Sequence, residues 1–130
     1  MKYQGGCLCG GVSIEITGTI KHVMHCHCKM CRKAHGSSFA SFGLVSEHDF
    51  KVSGTSYIRS YKSSANVTRT FCCICGSNVE WIDNSGFNDG YRSFALGLLD
   101  TEFVPENEEH IFVSSSAQWG QVCASLEEHS

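Results

Sequence analysis

One proline, Pro105, in 130 residues excludes a proline-rich or collagen-like chain, and no window holds the roughly 20 consecutive apolar residues that a membrane-crossing helix needs. The amino-terminal MKYQGGCLCGG lacks the apolar run of a secretory signal, so the sequence predicts a soluble, cytoplasmic protein with no membrane partner. Basic charge is also scarce. Ten Lys and Arg stand against thirteen Asp and Glu, a formal net charge of −3, too little for the concentrated positive face that a phosphate backbone requires. Nucleic acid is therefore not expected as a partner. What remains, 42% hydrophobic and 18% charged residues, is the composition of a globular chain long enough for one hydrophobic core. A single domain over residues 1–130 is expected, and oligomeric state is not legible.

Cysteine is what the sequence has in excess, with nine residues. Eight fall in three tight groups, Cys7-Leu-Cys9, Cys26-His-Cys28-Lys-Met-Cys31 and Cys72-Cys73-Ile-Cys75, and only Cys123 stands apart. Disulfides gain most by closing long loops, and a cytoplasmic chain is kept reduced, so such clustering points to metal ligation. Short C-x-C and C-x-x-C pairs from distant segments are how a chain delivers thiolates to a tetrahedral zinc, and two sites are the natural count. Cys72 and Cys75 precede Gly76 as in a zinc knuckle, and Cys7 and Cys9 precede Gly10 and Gly11 as an equivalent half-site. Together they make a closed four-cysteine site, the form of a structural zinc.

Cys26, Cys28 and Cys31 have no spare cysteine pair to close them. Three ligands and an open position are the pattern of a catalytic zinc. On an extended segment Cys26 and Cys28 face one way and His25 and His27 the other, though a bridging histidine or Cys73 is the rival fourth ligand. Cys73 otherwise reads as a small buried hydrophobe and Cys123 as inert. The bland alternative for all three groups is buried or reactive cysteines with no metal. A scaffold with two structural zincs is the alternative from another class; it calls for a protein-supplied fourth ligand at the central site and no pocket.

Val12, Ile14 and Ile16 alternate with polar residues as in a half-buried strand. Further β-like segments are expected at 22–28, 38–45, 50–52, 57–61, 67–72, 78–82 and 91–98, with one helical turn over 29–35 ending at Gly36. The class is mainly β, built of short antiparallel sheets. Acidic residues 106–109 read as a solvated loop. Trp119 either packs in the core or walls a substrate pocket. Lys29, Arg32 and Lys33 either form a solvated basic turn or offset a negative cluster and meet an anionic substrate, with Ser37 and Ser38 as hydrogen-bond donors nearby.

The ordered motifs GGCLCGGV, CHCKMCRKAHGSSF, R-x-FCxxCG at Arg69 to Gly76, and HIFVSSSAQW at His110 to Trp119 resemble the glutathione-dependent formaldehyde-activating enzyme family, to which centromere protein V is also similar. The likeness runs from about Gly5 to Trp119. It implies a zinc-containing, mainly β fold similar to that of a guanine-nucleotide-release accessory factor and of methionine sulfoxide reductase B. It implies structural zinc on Cys7, Cys9, Cys72 and Cys75 and an active-site zinc on Cys26, Cys28 and Cys31. The implied activity is that of a carbon–sulfur lyase, joining glutathione or a related thiol to formaldehyde or another small aldehyde as an S-hydroxymethyl adduct. On that reading Lys33, Ser37, Ser38 and Trp119 are the candidate thiol-substrate contacts.

Overall fold

The alternation at Val12, Ile14 and Ile16 builds strand β2 (Ser13–Thr17), whose Ile14 and Ile16 are buried while Ser13 and Thr17 face solvent. In the computed structural model, which describes residues 2–120, β2 lies between β1 (Lys2–Gly6) and β5 (Phe50–Ser53) in an antiparallel three-stranded sheet. The remaining strands are β3 (His22–Cys26), β4 (Ala40–Ser46), β6 (Ile58–Lys62), β7 (Val67–Cys72), β8 (Asn78–Asp83), β9 (Tyr91–Ala95) and β10 (Glu108–Ile111). They form a seven-stranded sheet in the order β10-β3-β4-β9-β8-β7-β6, antiparallel throughout except for β10 beside β3. The mainly β expectation is met. No helix among the described residues is long and apolar enough to cross a membrane.

The two faces of the large sheet have different covers. One packs on the small sheet, joining Val45, Val79 and Phe94 to Tyr3, Ile14, Ile16 and Phe50, with Phe50 and Phe94 stacked at 5.7 Å. The other carries Cys26, Ala40 and Phe42 with Trp81 and Ile111, and lies against the buried Cys31 of helix α1 (Lys29–His35). Helix α1 spans the expected residues: Cys28 caps its start and Gly36, with φ 60, ends it in the left-handed conformation that glycine adopts without strain.

Several expectations shift. The acidic stretch is a solvated edge in part, but Glu108 and Glu109 belong to β10, because Glu109 pairs with His22 at 2.9 Å and Glu108 with His25 at 3.5 Å on the adjacent strand. Residues 96–98 leave the strand as a 3-10 turn, and β1 is an additional strand. Cys73 is exposed rather than buried: the knuckle turns Cys72 inward and leaves Cys73 and Ile74 outside. Cys123 lies outside the described residues.

Candidate functional site

The loop after β1 and the knuckle after β7 meet at four sulfurs. The Sγ atoms of Cys7, Cys9, Cys72 and Cys75 all lie within 4.8 Å of one another, with Cys9 3.6 Å from Cys7 and 3.7 Å from Cys72. Backbone N–H groups are aimed at them: Val12 donates to Cys7 Sγ at 3.2 Å and Gly11 to Cys9 Sγ at 3.4 Å. Ser77 ties the halves together, its Oγ 3.3 Å from Cys75 Sγ and accepting from the Leu8 N–H at 3.0 Å. These contacts split the thiols. Ser77 and the Cys9 backbone lower Cys75 to about 5. Cys9 is raised to about 12: the Gly11 N–H pulls it down, but burial and the three neighbouring thiols outweigh it.

The second cluster is assembled at the junction of β3 and α1. Cys26 ends the strand, Cys28 caps the helix and accepts the Cys31 N–H on its Sγ at 3.3 Å, and Cys31 is buried in the first turn. Their three sulfurs also lie within 4.8 Å of one another, and no fourth Cys, His, Asp or Glu among the described residues joins them. The hydrogen bond from Cys26 and the guanidinium of Arg69 lower Cys31 to about 6, and the same contact with Cys31 pushes Cys26 up. His25 and His27 face the other side of the strand. His27 Nε2 is 2.7 Å from His110 Nδ1, and His25 Nδ1 is 2.8 Å from Ser41 Oγ.

Thiols this close cannot all ionise unless a cation sits among them. Donation of backbone and guanidinium N–H groups to sulfur is the surrounding a bound thiolate takes, and an all-sulfur donor set is a soft one. Both clusters therefore fit a metal ion of the zinc class, four-coordinate from protein at the first and three-coordinate at the second.

Beside the second cluster lies a cavity of about 440 Å³. Its walls include Met24, Phe42, Trp81 and Ile111 from the sheet, Met30 from α1, and Cys26, Cys28 and Cys31 themselves. Arg69, only 6% exposed, joins the cavity to the sulfurs: Nη2 reaches Cys31 Sγ at 3.5 Å, Nε donates to Ser63 Oγ at 3.0 Å, and Nη1 is buried with no partner. Arg69, Ser93 and Trp81 were not among the residues expected at the site. A lone arginine within the β-like run 67–72 was the available signal, but its direction depends on the pairing of β7.

The expected substrate contacts lie on the other side of α1. Lys33, Ser37 and Trp119 line a smaller groove of about 250 Å³ with Lys29, Arg32 and Gly36, and Ser38 packs against Gly120 instead. Trp119 is 71% exposed, which excludes core packing, and the Arg32 guanidinium lies 5.9 Å from its ring centre. Cys31 and Met30 face the cavity while Lys29, Arg32 and Lys33 face the groove, so one helix separates an apolar site from a basic one.

A crystal structure of a Rhodobacter sphaeroides protein shares the fold, with a TM-score of 0.63 and 22% identity over 81% of this chain and 97% of that one. Among curated proteins none matches the chain. The family model described as glutathione-dependent formaldehyde-activating enzyme matches residues 2–115. With that match over nearly all of its length, the chain belongs to the glutathione-dependent formaldehyde-activating enzyme family.

Proposed function

We propose that this protein is a carbon–sulfur lyase that carries two zinc ions, one structural on Cys7, Cys9, Cys72 and Cys75 and one catalytic on Cys26, Cys28 and Cys31. The observation that carries the reading is the three-sulfur cluster, which has no fourth ligand among the described residues and opens on a cavity. A closed scaffold would have neither feature, which favours the enzyme. The reaction joins a thiol to an aldehyde: the sulfur lone pair forms the new C–S bond, the C=O π pair moves to oxygen, and the thiol proton ends on that oxygen. In reverse the same C–S bond breaks.

A zinc ion bound at the open site supplies Lewis acidity, which lowers the pKa of a thiol or polarises a carbonyl. The protein's own groups do the rest. Arg69 lines the cavity beside the sulfurs, where its guanidinium charge favours the oxygen that gains charge in the addition. Lys29, Arg32 and Lys33 offer cationic partners for the carboxylates of an anionic thiol such as glutathione, with Ser37 and Trp119 in the same groove. A reducing compartment such as the cytoplasm keeps both clusters in thiol form. The test is NMR detection of the S-hydroxymethyl adduct from glutathione and formaldehyde with zinc-loaded protein, against the uncatalysed rate.

A further inference from the structure

Arg69, Trp81 and Ser93 are directly opposed across β7, β8 and β9. Opposed residues point to the same face of a sheet, so the three form a row across the cavity floor, with Trp81 between two polar groups. Both polar groups are orphaned: Arg69 Nη1 and Ser93 Oγ are buried without a hydrogen-bond partner, and the Ser93 residue is only 3% exposed. A buried donor left unpaired is costly to the fold, and both of these residues line the cavity.

Most of the remaining wall is apolar, with Ser63, Asp83 and Asn88 the other polar side chains on it. Met24, Phe42, Trp81 and Ile111 line the floor, while Met30 and Phe112 stand at the rim exposed to solvent. Phe112 is also the one non-glycine among the described residues with a left-handed backbone, φ 56. That conformation is unfavourable for an aromatic residue, and such strain concentrates at ligand sites. A volume of about 440 Å³ lies in the roughly 300–1,000 Å³ range of small-molecule pockets. Formaldehyde has no carbon beyond its carbonyl and would leave this wall in contact with water.

We infer that the carbonyl partner is an aldehyde with an apolar body, an aliphatic chain or an aromatic ring, seated against Met24, Phe42, Trp81 and Ile111 with its carbonyl toward Arg69 and the three cysteines. The inference rests on the thiol–aldehyde reading above and names the substrate class of that site. Each methylene moved from water into such a cavity strengthens binding about fourfold, so chain length is the discriminating variable.

The experiment has a binding arm and a turnover arm. Zinc-loaded Trp119→Phe protein leaves Trp81 as the sole tryptophan, and its fluorescence is titrated with hexanamide and acetamide, unreactive analogues of hexanal and acetaldehyde. Hexanamide is expected to saturate the signal at least tenfold more tightly than acetamide. Adding Phe112→Gly should weaken hexanamide several-fold while leaving the melting temperature unchanged or higher, because glycine relieves the positive φ. In the turnover arm, adduct formation with glutathione by the unsubstituted zinc-loaded protein should have a higher kcat/KM for hexanal than for acetaldehyde. No saturable hexanamide binding, with equal rates for the two aldehydes, overturns the inference and leaves the thiol–aldehyde reading standing. Chain-length-dependent binding with no turnover of either aldehyde overturns that reading and supports the cavity as a site for apolar carbonyl compounds.

Discussion

Arg69 Nη2 lies 3.5 Å from Cys31 Sγ, so a guanidinium on β7 compensates the charge of a sulfur cluster built 38 residues earlier at the start of α1. This contact couples the seven-stranded sheet to the open cluster and holds Arg69 in the cavity wall.

Replacing Arg69 separates charge from geometry. Arg69→Met should lower kcat/KM for adduct formation by about 100-fold or more, the scale of losing one preorganised donor to a developing oxyanion. Arg69→Lys keeps the charge but not the fork and should lie between the two. Zinc content measured beside the kinetics should stay at the parent stoichiometry in both. Equal activity of all three proteins would remove Arg69 from the reaction.

The two clusters should respond differently to the same substitution. Cys72→Ser removes a ligand from the site that fastens the loop after β1 to the knuckle after β7, and should abolish the cooperative thermal transition. Cys28→Ser should retain that transition and lose one zinc of two. Calorimetry with metal analysis checks both, and identical behaviour would contradict the division into structural and catalytic sites.

His35 gives a pH dependence with a definite sign. Burial, with the nearby charge of Arg69, lowers its pKa from 6.5 to about 4, and its ring meets Phe42 edge-on at 5.2 Å. The folded state resists protonation more than the unfolded one, so the stabilisation is full above pH 6.5 and is lost as pH falls from 6.5 through 4. The loss amounts to at most about 3 kcal/mol. His35→Gln should therefore show a shallower fall in denaturation midpoint over that window than the parent. The thiol clusters are common to both proteins, so parallel curves would exclude His35 as the source.

Much of this architecture was legible because it is local. The alternation of Val12, Ile14 and Ile16 gave β2, the Gly36 stop gave the end of α1, and cysteine spacing gave two clusters that the fold brings together as grouped. What was not legible depends on distant partners. Strand β1 carries Gly5 and Gly6 and few apolar residues; Gly5 is needed there because a Cβ would meet the Leu98 carbonyl oxygen at 2.1 Å. Strand β10 looked like a solvated acidic loop until β3 supplied His22 and His25 as partners. The cavity was hidden for the same reason: Arg69, Trp81 and Ser93 become neighbours only through the register of three strands. The motifs place the expected substrate contacts Lys33, Ser37, Ser38 and Trp119 near the cysteines in sequence, yet the fold puts three of them on a separate basic groove and Ser38 against Gly120.

The central claim is that the open cluster of Cys26, Cys28 and Cys31 performs thiol–aldehyde chemistry. The most direct measurement is NMR exchange or stopped-flow detection of adduct formation by the zinc-loaded protein, with Cys28→Ser measured in parallel. The account predicts a rate well above the uncatalysed background for the parent and a return to background for Cys28→Ser with the fold retained. A parent rate equal to background with both formaldehyde and hexanal, at full zinc occupancy, would contradict it.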